Sequence, residues 1–284
     1  MKNLKIKILT ITLCSLLTMG AWAQSSGEFT IPLSDPAKRG SLVAQLNTGS
    51  ITVKGTARKD VLVKYTQRVE KKHDDCDDCD DDDDDDEKDR DTGGLKKISS
   101  GTVGLEAGEN GNNVKVASGS WNNALDLVIE VPSGMDMKVK AYNDGDIIVS
   151  DVEGAVEITN YNGEITARNI SGSVVAATYN GDIKVVFTRV KENTPMSYST
   201  YNGNIDLTLP VTVKATLKMK TDRGEIYAGF DMNLIKTGPI QKKDTQSGTY
   251  KVVIDDWVKG DINGGGPEFT MKNYNGDILI RKRE

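Results

Sequence analysis

Apolar and polar residues alternate over short runs along almost the whole chain. Leu42-Val43-Ala44-Gln45-Leu46, Val61-Leu62-Val63-Lys64-Tyr65 and Leu125-Asp126-Leu127-Val128-Ile129-Glu130-Val131 each place an aliphatic side chain at every second position. A period of two with one apolar face is a half-buried strand. No window carries the 3.6-residue period of an amphipathic helix. The pattern predicts an all-β protein.

The runs are punctuated by one recurring phrase. It reads Tyr161-Asn162-Gly163-Glu164-Ile165, Tyr179-Asn180-Gly181-Asp182-Ile183, Tyr201-Asn202-Gly203-Asn204-Ile205 and Tyr274-Asn275-Gly276-Asp277-Ile278. Looser copies surround Gly49, Gly145 and Gly224. From Gly145 the glycines step by 18, 18, 22 and 21 residues, and a repeat near 20 residues marks a solenoid. Asn and Gly tolerate positive φ, so each Asn-Gly predicts a tight turn. Behind the turn, Ile147, Ile165, Ile183, Ile205, Ile226 and Ile278 align in one column, and Val149, Ala167, Val185, Leu207, Ala228 and Ile280 in another. A second corner falls half a repeat away, at Glu153-Gly154 and Ser171-Gly172. Two short strands and two turns per 18–22 residues describe one coil of a parallel β-helix, and coils without linkers predict a single domain over 24–284.

Charge changes the picture at one place. The chain carries 36 Lys+Arg and 42 Asp+Glu, a net −6. Lys2, Lys5 and Lys7 precede an apolar run that ends in Ala21-Trp22-Ala23, which predicts a signal peptide over 1–23 cleaved between Ala23 and Gln24. Without it the net charge is −9, of which residues 74–91 alone contribute −12. The acidity therefore belongs to an insert at about 71–94, which cannot bury apolar surface and reads as a disordered loop. The rest is nearly balanced, without the basic stripe that would suggest nucleic acid, and no later stretch approaches transmembrane length.

The early Asn47-Thr48-Gly49-Ser50-Ile51-Thr52-Val53 coil, the Ile129-Glu130-Val131-Pro132 entry, the stacked Tyr-Asn-Gly turns and the Gly264-Gly265-Gly266 … Asn273-Tyr274-Asn275-Gly276-Asp277-Ile278-Leu279-Ile280 finish together resemble the bacterial putative-adhesin family. That family is a domain of unknown function. The resemblance implies a single-stranded, right-handed β-helix and brings no catalytic residues with it; the acidic insert departs from its pattern. With no nucleophile elbow or phosphate loop, and its one His inside the insert, the chain reads as a non-enzyme. The expected role is an exported, non-enzymatic binding protein of the cell envelope. Its place is the periplasm, the outer-membrane surface or the medium, and its partner an envelope glycan or protein. Alternatives are a periplasmic accessory protein of envelope stress or maintenance and, more distantly, a polysaccharide-active enzyme.

Three groups of residues are candidates for chemistry. Stacked coils would align Tyr161, Tyr179, Tyr201 and Tyr274, with Asn162, Asn180, Asn202 and Asn275 beside them and Gly163, Gly181, Gly203 and Gly276 at the turns. This is either an aromatic strip for sugar rings or a purely structural ladder. The residues after the glycines, Asp146, Glu164, Asp182, Asn204 and Glu225, would form a column rich in carboxylate and interrupted by Asn204, which either gathers Ca²⁺ or bonds turn amides. In the insert, His73, Cys76 and Cys79 have the spacing of a soft-metal site, or the cysteines pair as a disulfide, and the Asp run offers loose Ca²⁺ binding. Finally, the aliphatic strand Ile278-Leu279-Ile280 followed by Arg281-Lys282-Arg283 reads as a solenoid edge guarded by charge in a monomer, or as a basic handle for an anionic envelope surface.

Overall fold

The computed structural model describes residues 25–68, 103–235, 240–243, 250–253 and 257–283. The expected leader with its Ala23–Gln24 junction, and the insert with His73, Cys76 and Cys79, lie outside the described residues. Before the insert come β1 (Ser26–Pro32), β2 (Ser41–Thr48), β3 (Ile51–Thr56) and β4 (Asp60–Gln67). After it follow β5 (Leu105–Asn110), β6 (Asn113–Ser118), β7 (Leu125–Pro132), β8 (Asp136–Asn143) and β9 (Ile147–Ser150). The central repeats are β10 (Ala155–Thr159), β11 (Ile165–Ile170), β12 (Ser173–Ala177), β13 (Ile183–Phe187), β14 (Met196–Asn202) and β15 (Ile205–Pro210). Then come β16 (Ala215–Arg223), β17 (Ile226–Ala228), β18 (Asn233–Ile235), β19 (Ile240–Lys243), β20 (Tyr250–Val253), β21 (Val258–Ile262), β22 (Glu268–Asn275) and β23 (Ile278–Arg283). No helix occurs among the described residues.

Strands after the turn glycines form one sheet, in the order β1-β4-β7-β3-β9-β11-β13-β15-β23-β17. Strands before them form the other, in the order β18-β21-β16-β22-β14-β12-β10-β8-β2-β6-β5. Pairing is parallel through the middle, and Ile147, Ile165, Ile183, Ile205 and Ile278 are successive register partners. The apolar columns of both sheets meet in one core, where these isoleucines are fully buried. Antiparallel strands close the ends: β1, β4 and β5 at one, β18 and β21 at the other. The structure is open at its edges and is not a closed barrel.

Spatial order departs from chain order at both ends. The β2–β3 coil lies between the β6–β7 and β8–β9 coils, although it precedes both in sequence. Likewise β22–β23 lies between the β14–β15 and β16–β17 coils, which it follows. Each wedged coil carries the same column residues as its neighbours, so periodicity alone cannot reveal the insertion. One expectation fails here. Ile278-Leu279-Ile280 is no edge, because it is paired on both sides. Nor is the basic tail a guard: Arg281 Nε donates to both carboxylate oxygens of Asp206 at 2.9 Å, and Arg283 donates to the Phe187 carbonyl. The edge beyond it is the three-residue β17, where Ile226 is only partly buried and Ala228 is exposed.

Candidate functional site

The repeated phrase forms a column of turns along one edge of the stack. At three of the turns the glycine N–H donates to an Asn carbonyl of the neighbouring coil, Gly163 to Asn180, Gly181 to Asn202 and Gly203 to Asn275, at 2.8–2.9 Å, and at the fourth Gly276 donates to the Arg223 carbonyl at 3.1 Å. Gly163, Gly181, Gly203 and Gly276 have φ between +123° and +148°. A Cβ on Gly181 would sit 2.2 Å from the Gly163 carbonyl oxygen, so the turns stack only because they have no side chain. None of the four phrase asparagines has positive φ. Asn is there for a different reason.

That reason is a side-chain ladder. Asn275 Nδ2 donates to Asn202 Oδ1, Asn202 to Asn180, Asn180 to Asn162 and Asn162 to Asn143, at 2.6–3.0 Å. Every rung donates in the same direction, so each amide polarises the next. Outside this ladder the tyrosines stack: centroids of Tyr161–Tyr179, Tyr179–Tyr201 and Tyr201–Tyr274 lie 5.1, 4.9 and 4.6 Å apart, with planes within 9°. Arg223 sits 5.3 Å from the Tyr274 centroid and covers the far end. Tyr161, Tyr179 and Tyr201 remain 40–50% exposed. Because the interior rings occupy each other's faces, the strip offers ring edges and hydroxyls along its length, and among the described residues no second ring stacks on Tyr161, which is 50% exposed.

A third ladder, unnoticed in the repeat, lies one residue earlier. Asn160, Thr178, Thr200, Thr221 and Asn273 donate from their side chains to the turn-glycine carbonyls of Gly145, Gly163, Gly181, Gly276 and Gly203, at 2.8–3.1 Å. Asn160, Thr178, Thr200 and Asn273 are buried. Extending the alignment one position leftward shows the column, an Asn or Thr at these five turns, where the Gly145 and Gly49 turns have Ala141 and Leu46. The aspartates after the glycines, with Asn204 among them, also bond neighbouring turn amides. Asp146 accepts from the Glu164 amide, Asp182 from Asn204, Asn204 from Asp277 and Asp277 from Glu225, at 2.7–2.9 Å. Among the described residues no three His, Cys, Asp or Glu side chains cluster to hold a metal.

The profile of Toastrack DUF4097, a family of unknown function, matches residues 21–263. The chain belongs to that family. No curated protein matches this Toastrack chain. Among solved structures, a putative cell adhesion protein from Clostridium sporogenes is similar at 12% identity and a TM-score of 0.44, covering 92% of this chain and all of its own. A putative adhesin from Bacteroides fragilis is similar at 8% identity and a TM-score of 0.38, covering 92% of this chain and 98% of its own. Likenesses this distant say nothing of what the Toastrack chain binds.

At its other end the Toastrack ladder is pinned by a residue the sequence reading passed over. Arg68 closes β4 where the insert begins. Its guanidinium donates to both Asp126 oxygens at 2.6–3.0 Å, to Ser50 Oγ at 2.7 Å and to the Asp144 carbonyl and carboxylate at 2.6 and 3.2 Å. Burial pushes the Asp126 carboxyl up, but the Arg68 bonds and the Ser50 amide outweigh it and hold it below the usual carboxylate range. The same contacts raise Arg68. Three turns are thus tied to the insert's base.

Proposed function

We propose that this Toastrack chain is an exported, non-enzymatic protein of the bacterial cell envelope that binds an envelope component along its turn ladder. In this reading the stack is a right-handed β-solenoid with coils of about 18–22 residues, and it acts as a rigid rod that presents one patterned edge. The observation that carries it is the exposure of the tyrosine column. Four aromatic rings stand outside the core, held in register by an amide ladder that could hold the turns without them. Exposed aromatics with a polar tip are the side chains proteins use at binding surfaces. The Lys-rich, apolar start ending in Ala21-Trp22-Ala23 supports export.

The test is binding of the chain from Gln24 onward to envelope extracts, followed by the same measurement after Tyr161, Tyr179, Tyr201 and Tyr274 are replaced by Ser. Loss of capture with a preserved β-type circular dichroism spectrum supports the reading. Undiminished capture shows that the strip is not the binding surface. Protease treatment of intact cells separates the two envelope roles: complete protection assigns an accessory protein inside the outer membrane, and cleavage assigns a surface binder.

A further inference from the structure

The tyrosine stack does not continue past Tyr161, and how it stops is informative. The next rung carries Tyr142, the one beyond it Asn47, and the one after that the turn bearing Trp121. Asn47 has no ring, and Trp121 leans across its rung to meet Tyr142, with centroids 6.0 Å apart and planes at 53°. No ring covers the outer side of Tyr161 among the described residues. Trp121, Tyr142 and Tyr161 are 57%, 40% and 50% exposed, so three large rings crowd one end of the ladder and stay in water. Exposed apolar surface that is gathered rather than scattered marks an interaction site.

The Trp121 turn is fixed from behind. Asn47 Nδ2 donates to the Gly119 carbonyl at 2.8 Å, Thr48 Oγ1 to the Trp121 carbonyl at 3.1 Å, and the Asn123 amide to Ser120 Oγ at 3.0 Å. A turn held this way loses little backbone freedom when something packs on it. The polar groups at this end are directional too. The amide ladder runs toward Asn143, whose Oδ1 accepts from Asn162 while its own Nδ2 meets no acceptor among the described residues. An amide that accepts a bond donates more strongly, so the whole ladder sharpens one N–H donor beside Tyr142. Asp144, next in sequence, takes Arg68 on Oδ2 and leaves Oδ1 to accept, with a side chain 71% exposed.

We propose that this end of the ladder is a carbohydrate subsite. A neutral pyranose ring packs its C–H face on Trp121, Tyr142 and the open side of Tyr161, and its hydroxyls accept from Asn143 and donate to Asp144. Ring faces, an amide donor and a carboxylate acceptor within one surface patch are the complement of a sugar, which carries apolar and hydroxyl faces together. The inference rests on the surface-binding reading and gives it a place and a ligand class.

The probes are cellohexaose, chitohexaose and mannohexaose, titrated calorimetrically against the chain from Gln24 onward. At least one should bind, Trp121→Ala should weaken it about tenfold or more at an unchanged melting temperature, and Trp121→Phe should restore most of it. Tyr227→Ala, an equally exposed ring on β17, should leave it within about twofold. Full affinity in Trp121→Ala overturns the subsite. A loss caused by Tyr179→Ser but not by Trp121→Ala also overturns it, while leaving the ladder as the binding surface. If none of the three sugars binds while an envelope protein does, the ligand class is wrong and surface binding stands.

Discussion

Thr200 Oγ1 donates to the carbonyl oxygen of Gly181, 2.9 Å away in the adjacent coil, and both atoms lie behind the tyrosine stack. No backbone amide outside the strand ladders takes that carbonyl, so the hydroxyl satisfies it alone. Thr200→Val keeps the shape and removes the donor. Leaving a part-buried carbonyl unpaired should cost about 1 kcal/mol. Thr200→Ser keeps the hydroxyl and should cost less. Chemical denaturation of the two variants decides it; equal losses would assign the effect to the methyl group instead.

The glycine column makes a second prediction. A Cβ at Gly181 meets the Gly163 carbonyl at 2.2 Å, in a backbone with φ +148°. Strain and overlap act together, and Gly181→Ala should cost more than about 2 kcal/mol. Gly134 has nothing within 4 Å of the same built atom. Gly134→Ala should be neutral or stabilise by up to about 1 kcal/mol, through the unfolded chain. Comparable melting temperatures for the two variants would show that the turns can relax.

The column of turns was legible because it repeats in sequence: the tyrosines, asparagines and glycines stand where periodicity places them. What each does was less legible. Asn was expected to supply positive φ and instead supplies a ladder, because both demands select the same short amide. The hidden row of Asn160, Thr178, Thr200 and Asn273 reads as ordinary polar variation at the end of a strand. The aspartates after the glycines look like cation ligands in sequence, and the neighbouring amides that they accept from show only once the coils are stacked. The wedging of β2–β3 and β22–β23 left no trace at all, since a coil with matching columns fits anywhere in the stack.

The direction of the asparagine ladder can be tested with Asn180→Asp. A carboxylate at this position can accept from Asn202 but cannot donate to Asn162 Oδ1. The introduced acid is therefore favoured in its protonated form, which raises its folded pKa above the unfolded value near 3.9. With a raised pKa, the stability it contributes is present at low pH and lost as pH rises through the folded pKa. The difference in melting temperature between variant and wild type should shrink on acidification from pH 7 to about pH 4. A difference that stays constant would mean that the ladder's polarity carries no energy.

Asp126 makes the opposite prediction. Its pKa is held down in the folded state, so its contribution is present above the unfolded value and lost as pH falls through the folded one. Stability should decline below about pH 4. Replacing Arg68 with Met removes the bonds that depress it, and the acid end of the stability curve should become flatter at lower overall stability. An unchanged acid slope would place the sensitivity in another carboxylate.

The wedged coil separates this fold from a sequential stack most sharply. In a sequential solenoid, removing the last coil in sequence exposes a new end and leaves the remaining coils paired. Here β22 pairs with both β14 and β16, and β23 with both β15 and β17. A chain that stops at Gly266 therefore loses a rung from the interior of both sheets, together with the buried side chains of Phe269, Met271, Ile278 and Ile280. It also loses Tyr274 from the stack and the Arg281–Asp206 pair. Closing the gap would require β16–β17 to move by one strand spacing while its antiparallel partner β21 moves with it. Each large buried aliphatic or aromatic removed leaves a cavity worth about 2–5 kcal/mol, more in sum than a domain's usual margin. The shortened chain should fail to reach a cooperative thermal transition. A soluble product with an intact transition would show that the coils re-pair in chain order, and that the wedge is dispensable.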